Sequence, residues 1–268
     1  MKIKANKISM NYEVAGEGRW LTLIHGAGDN LGAWWNQVPA LSKRYRVLTY
    51  DVRGHGQTET PPAEYTIGLL VQDLYELLKA LKVRETYLLG YSMGGRIALG
   101  LTLEHPEMVK ALILANSGVA PIQRSQEEMK QMMEMRQRQM EIMEKQGLGP
   151  VMDEMTVRAL SPGFAEKNPK VFARYKEIRL KNDPRAYATL MKAMPWAAQP
   201  PDVSSLKLPT LIIAGEHDLF SGPEAAKASQ RLIKGSKLVV MPTGHAAAIE
   251  QPDKFNKTIL DFLAGLEK

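Results

Sequence analysis

The stretch Leu88–Gly100, LLGYSMGGRIALG, decides how this 268-residue chain is read. Gly90-Tyr91-Ser92-Met93-Gly94 fits the pattern G-x-S-x-G, and it lies between an apolar, strand-like run and a helix-like one. Glycine weakens regular structure, so three glycines crowded around one serine need a backbone reason. The pattern predicts a sharp, strained turn that lifts Ser92 off the end of a strand. Positions 90 and 94 are then pressed together, and the first amides of the new helix point at the space beside the hydroxyl. The partial positive charge of that helix end suits a developing oxyanion.

Reading outward, short apolar runs recur at KISMNYEV (Lys7–Val14), WLTLIH (Trp20–His25), YRVLTY (Tyr45–Tyr50), TYLLG (Thr86–Gly90), ALILA (Ala111–Ala115), TLIIA (Thr210–Ala214) and KLVVM (Lys237–Met241). The later runs are continuously apolar rather than alternating, as in strands buried on both faces of a parallel sheet. Helical spacing fills the intervals at Thr66–Val83, Met93–Pro106 and Gly222–Gly235, and again from Gln251 to the last residue. Strand–helix alternation of this kind predicts an α/β fold with a mostly parallel central sheet flanked by helices.

The alternation stops between about Pro121 and Pro209. That segment is rich in methionine and opens on a helix whose Ser125 and Glu128 make a capping box and which Gly147 ends. Further helices are predicted at Asn168–Asn182 and Asp183–Met194, before a proline-rich return to the sheet. Residues 1–120 and 202–268 are thus expected to form the core domain, with 121–201 as a helical insertion placed over it.

Composition bounds the chemistry. With no cysteine, disulfides, thiolate metal sites and a cysteine nucleophile are excluded. Hydrophobic residues make up 44% and charged residues 24%, ordinary values for a globular chain. The net charge of +6 is scattered rather than clustered, which argues against nucleic-acid binding. No apolar stretch approaches the roughly 18 residues of a membrane helix, and the N-terminus lacks a leader-like apolar core. The expectation is a cytoplasmic protein without membrane insertion, its oligomeric state left open, a homo-oligomer included.

A serine hydroxyl is a weak nucleophile and needs a base, which in turn needs an orienting partner. Of the five histidines, His25 ends a strand in HGAG, His55 sits in an exposed-looking turn (DVRGHGQT), His105 precedes Pro106 and His217 adjoins Asp218. Only His245, in GHAAAIEQP after the last apolar run, combines a loop at a strand's carboxyl end with the order Ser…Asp…His. The acid is Asp218, just after TLIIA. Asn116, after ALILA, holds the other loop where such an acid can sit, but an amide cannot stabilise an imidazolium in the same way.

HGAG, YDVRGHGQTETP, GYSMGG, GEHD and GHAAAIEQP, in this order and spacing, resemble the α/β-hydrolase fold superfamily over Trp20–Gly118 and Pro209–Leu263. Within it, the chain looks most like serine esterases and lactonases, including 3-oxoadipate enol-lactonases and haloperoxidase-like perhydrolases. The resemblance implies Ser92 as nucleophile, His245 as general base and acid, and Asp218 as its orienter. It further implies the backbone amides of Ala27 and Met93 as the oxyanion hole, His25 as a structural residue, residues 121–201 as a cap, and no metal or organic cofactor. Relatives that pass through an alkyl-enzyme carry aspartate where this chain has Ser92, so an acyl-enzyme is expected.

The expected substrate is a small to medium, largely apolar ester or lactone. Met129, Met132, Met133, Met140 and Met143 fall within about one third of a helix circumference. They form either a packed apolar face or a deformable pocket wall. Arg136, in mid-stripe, either reaches to the edge or meets a substrate carboxylate. Trp34, Trp35 and Trp196 are candidates for the mouth of the site, and Tyr91 for its lining. Perhydrolysis or carbon–carbon bond hydrolysis with the same triad are the rival reactions. A ligand receptor on a hydrolase scaffold is a rival of a different kind.

Overall fold

The computed structural model describes residues 1–61, 65–119, 125–193 and 201–267. Eight strands form one sheet: β1 (Lys2–Ala5), β2 (Ile8–Ala15), β3 (Trp20–Ile24), β4 (Arg46–Tyr50), β5 (Thr86–Tyr91), β6 (Val109–Ala115), β7 (Thr210–Gly215) and β8 (Lys237–Met241). Their spatial order is β1-β2-β4-β3-β5-β6-β7-β8. β2 runs antiparallel to β1 and β4, and every other pairing is parallel. The chain therefore carries the mostly parallel α/β sheet that its apolar runs predict.

One strand expectation is met with an addition and one is corrected. The run from Lys7 is the second arm of a hairpin: Asn6 and Lys7 both have positive φ (45° and 66°), the twist a two-residue turn needs, and β1 precedes them. β8 is an edge strand rather than a doubly buried one; its Val240 is 40% exposed.

The helices are α1 (Val38–Leu41), α2 (Ile67–Ala80), α3 (Met93–Glu104), α4 (Gln126–Gln146), α5 (Leu148–Ala159), α6 (Phe164–Lys167), α7 (Pro169–Arg179), α8 (Pro184–Ala193), α9 (Pro223–Leu232), α10 (Ala247–Glu250) and α11 (Pro252–Ala264). Alternate sheet residues feed two cores. Leu88, Leu112 and Leu114 meet Leu70, Leu74 and Leu77 of α2 and Ile97 and Leu101 of α3. Leu89, Ile113 and Ile213 meet Phe255, Ile259 and Leu263 of α11 on the opposite face. No helix among the described residues is long and apolar enough to cross a membrane.

Among the described residues between β6 and β7, helices α4 to α8 predominate and no strand occurs. Ser125 and Glu128 make the reciprocal capping bonds at the start of α4, and Gly147, at φ 80°, ends it. α5 follows at once, although Gly147-Leu-Gly-Pro reads as a break: Pro150 lies in the first turn, where its missing N–H costs no helical bond. Leu148, Val151 and Met152 of α5 and Tyr187 and Leu190 of α8 join the core that α2 and α3 share. Tyr175 and Ile178 of α7 pack with Ala33, Ala246 and Ile249 at the rim of the sheet.

That rim is where β3, β5, β6, β7 and β8 all end, so five neighbouring strands deliver their following residues to one place. The loop after β4 is held down from beneath. Arg53 grips the Asp73 carboxylate of α2 with two hydrogen bonds of 2.6 Å, both groups are buried, and Asn6 donates to the same carboxylate at 2.6 Å. Replacing one partner of such a pair strands a buried charge. Asp73→Ala is expected to lower unfolding free energy by about 3 kcal/mol or more, measured by urea titration with wild-type protein alongside.

Candidate active site

The turn after β5 forces the Ser92 position open. A Cβ on Gly90 would collide with the Gly94 carbonyl, and one on Gly94 would collide with the carbonyl of Ile24. With those side chains absent, Ser92 takes φ 53° and ψ −115°, a strained conformation for a residue with a side chain. The strain is held from both directions: Ser92 N–H donates to Ala115 O at 3.0 Å, and Gly95 N–H donates to Ser92 O at 3.0 Å.

Three side chains from separate strand ends converge there. His245 Nε2 lies 2.9 Å from Ser92 Oγ, and His245 Nδ1 lies 2.9 Å from both oxygens of Asp218. Because the carboxylate only accepts, Nδ1 carries the proton and Nε2 faces the hydroxyl as acceptor. Asp218 Oδ1 also accepts from the amides of Phe220 (2.8 Å) and Ser221 (3.0 Å). Burial alone would raise the Asp218 carboxyl. His245 and the two amides outweigh burial and hold it below the usual carboxylate range.

Two residues complete this arrangement: Asn116, which the sequence marks as the other place for an acid, and Glu250, which carries no such signal. Asn116, at φ 48° beyond β6, donates its amide to Asp218 Oδ2 at 3.1 Å and to Gly244 O at 3.4 Å. It stands in the other loop where an acid can sit, at the end of a strand flanked by β5 and β7, and bonds to Asp218 rather than replacing it. Glu250 accepts from Gly244 N at 2.7 Å and from the amide and hydroxyl of Ser161, tying the His245 loop to the end of α5. Ala246 N–H adds a bond to Ala159 O at 2.8 Å.

Across from the helix start lies the loop after β3. Gly26 backs onto Ser92: a Cβ there would stand 3.2 Å from Ser92 Cβ and 2.8 Å from the Tyr91 ring. Among the described residues, neither Ala27 N–H nor Met93 N–H donates to a protein acceptor. The loop rests on two buried histidines. His25 Nδ1 donates to Gly26 O at 2.8 Å while Nε2 accepts from Val52 N–H at 2.9 Å. His55 corrects the expectation of an exposed turn. It is fully buried, its Nε2 accepts Gly28 N–H at 3.1 Å, and its ring meets His25 edge-on at 4.9 Å. The glycines around His55 let the loop fold inward beneath residues 26–28 instead of outward. Burial pushes His25 down to about 4. Burial, followed by the charge of His25, pushes His55 down to about 3.

The candidate substrate residues are distributed unevenly. Tyr91 is buried beside the site, 5.2 Å from the His245 ring. Trp34 is a core residue, 2% exposed and edge-on to Tyr91 at 6.5 Å. Trp35 packs on Tyr175 with Arg174 over its ring. Trp196 lies outside the described residues. On α4, Met129, Met132, Met140 and Met143 are half-buried, whereas Met133 is 63% exposed. Arg136 is half-buried, and burial lowers its affinity for a proton. Phe220, just beyond Asp218, packs 4.8 Å from the His245 ring.

A family model described as the alpha/beta hydrolase fold matches residues 19–252. The chain belongs to that family. It is 29% identical to 3-oxoadipate enol-lactonase 2 of Acinetobacter baylyi over 96% of this chain and 94% of that protein. It is 28% identical to a 2-hydroxy-6-oxo-6-(2'-aminophenyl)hexa-2,4-dienoic acid hydrolase of Metapseudomonas resinovorans over 98% of this chain and 90% of that one. The crystal structure of the enol-lactonase from Burkholderia xenovorans LB400 superposes with a TM-score of 0.88 at 30% identity, covering 98% of this chain and all of that chain.

The two buried histidines make stability depend on acid. In the unfolded chain they take up protons below about pH 6.5, but in the folded chain only near about 4 and about 3. The unfolded state therefore binds more protons across that window. This contribution is complete above pH 6.5 and is lost as pH falls. His55→Gln keeps an acceptor for Gly28 and removes the titration. Between pH 7 and pH 5 the variant is expected to lose about 2 kcal/mol less than wild type, read from denaturant midpoints at the two pH values.

Proposed function

We propose that the chain hydrolyses a carboxylic ester or lactone through an acyl-enzyme formed on Ser92. Ser92 Oγ attacks the carbonyl carbon and its proton passes to His245 Nε2. Asp218, bonded to Nδ1, stabilises the imidazolium. The negative charge on the carbonyl oxygen is met by the amides of Ala27 and Met93. Collapse expels the alcohol, which leaves with the proton from His245. Water, deprotonated by the same imidazole, then attacks the acyl carbon and releases the acid, and Ser92 recovers its proton.

The observation that carries this reading is the hydrogen-bonded series Ser92–His245–Asp218, built on a strained turn beside two amides that have no protein acceptor. The relatives are consistent with it: two of those compared are named as enol-lactonases. A serine at this place favours acyl chemistry over alkyl transfer. The helices α4–α8 would serve as the cap that bounds the substrate site.

The names 3-oxoadipate and dienoic acid in the relatives favour a substrate that carries a carboxylate. Arg136, half-buried without an ion pair to any described acid, is the cap cation we assign to meet it. Carbon–carbon hydrolysis remains the second reading, because one long-range relative is named as a hydrolase of a 2-hydroxy-6-oxo dienoic acid. A vinylogous diketone assayed beside an ester and lactone panel separates the two by their relative kcat/KM.

Ser92→Ala is expected to reduce kcat on p-nitrophenyl butyrate by about 10⁵-fold or more, and Asp218→Asn by about 10³–10⁴-fold, with far-UV circular dichroism unchanged. Turnover retained by purified Ser92→Ala would overturn the assignment. Arg136→Ala is expected to raise KM for an ester bearing a free carboxylate about tenfold and to leave KM for its neutral methyl ester unchanged. Equal effects on both would remove Arg136 from substrate binding.

A further inference from the structure

The helical insertion reaches down to the loop after β3 and holds it through buried polar contacts. Asp29, 2% exposed, faces Arg179 of α7, 4% exposed, with Nε 3.4 Å from Oδ1. Tyr175 donates its hydroxyl to Asp29 Oδ2 at 3.2 Å, and Arg179 donates to Thr156 of α5 at 3.1 Å. The neighbouring bonds join the same two parts of the chain in both directions. Asn182 donates to Gly28 O at 2.6 Å and accepts from Gly56 N–H at 2.8 Å, while Asn30 donates to Ile178 O at 2.7 Å.

These contacts act on the turn that carries Ala27. Asp29 N–H donates back to Gly26 O at 3.2 Å, which places Ala27 and Gly28 at the apex, and Gly28 has φ 78°. A Cβ on Gly28 would stand 3.0 Å from Arg179 Nη2, so the guanidinium lies directly against the apex. Burial raises the Asp29 carboxyl, and Arg179, the Tyr175 hydroxyl and, more weakly, His245 oppose that rise. Without Arg179, a buried negative charge would sit one short turn from the place where the oxyanion develops.

We propose that the Asp29–Arg179 pair is a positioning device for the oxyanion hole: it clamps the insertion onto the Ala27 turn and neutralises the carboxylate of the residue that closes that turn. The proposal rests on reading Ala27 N–H as an oxyanion donor. Arg179 is thereby assigned to α7-to-loop coupling rather than to holding a substrate anion, because its charge is already answered by Asp29.

The test uses Arg179→Met, Arg179→Lys, Asp29→Asn and the double variant Asp29→Asn/Arg179→Met. A phosphonate ester that titrates Ser92 counts competent sites, so kcat is expressed per titrated site. For Arg179→Met, kcat on p-nitrophenyl butyrate is expected to fall about 10²-fold. KM should stay within about threefold, and affinity for a boronic acid that forms a tetrahedral adduct should fall in parallel with kcat. Adding Asp29→Asn should recover about tenfold of the lost kcat, because the stranded charge is removed. If Arg179→Met yields no folded protein, Arg179→Lys, which keeps the charge but not the fork, should still show kcat reduced about tenfold.

Wild-type kcat per site with only a lowered Tm would make the pair purely structural and overturn the proposal. A rise in KM confined to carboxylate-bearing esters would make Arg179 a substrate anchor and also overturn it. Failure of the wild-type chain itself to turn over esters or react with the phosphonate would instead count against the Ser92 assignment.

Discussion

The site depends on a collision that glycine avoids. At the end of β5 the chain reverses so tightly that Gly90 touches the Gly94 carbonyl, and Gly94 in turn touches the carbonyl of Ile24 on the neighbouring strand. Closeness on that scale leaves Ser92 no relaxed conformation, and it is held at φ 53°. The strain is sustained because β3 and β6 flank β5 in the buried centre of the sheet, so the turn cannot open without breaking strand pairing. The same geometry starts α3 at Met93 and leaves its first amide free beside the hydroxyl.

Around that turn, the parallel sheet acts as an aligning device. Its order brings the ends of β5, β6, β7 and β8 side by side, and each contributes one polar residue: Ser92, Asn116, Asp218 and His245. None of these side chains has to reach far, and each is fixed by a second partner. Asp218 is held by two backbone amides and by Asn116. The loop that carries His245 is held by Glu250 and by the end of α5. Because burial disfavours a lone carboxylate, an ionised Asp218 requires this full set of donors. The insertion belongs to the same framework, since its helices bond to the His245 loop on one flank and to the Ala27 turn on the other.

How much of this the sequence discloses follows from distance along the chain. The nucleophile turn is legible because all its constraints fall within Gly90–Gly95 and it lies between two periodic segments. Asp218 and His245 are legible through their places after apolar runs. The family resemblance, rather than local pattern, points to Ala27. His55 misleads because glycine-rich stretches read as exposed turns, and nothing local reveals that Gly28 needs an acceptor beneath it. α5 is hidden by glycine and proline at its start. The Asp29–Arg179 pair spans about 150 residues, and neither residue carries a local signal; only the packing of α7 against the rim brings them together. The methionine stripe of α4 shows the opposite limit. Its periodicity is real, yet no residue of α4 is fully buried, and Met133 faces solvent.

The central claim is that Ser92 Oγ becomes covalently acylated during turnover. Rapid mixing with a p-nitrophenyl ester, acid quench and peptide mass spectrometry tests it directly. Acylation at Ser92 places one added acyl mass on the peptide spanning Glu85–Arg96, absent when Ser92 is replaced by alanine. Steady turnover with no acylated peptide, or with the acyl group on another segment, would contradict it.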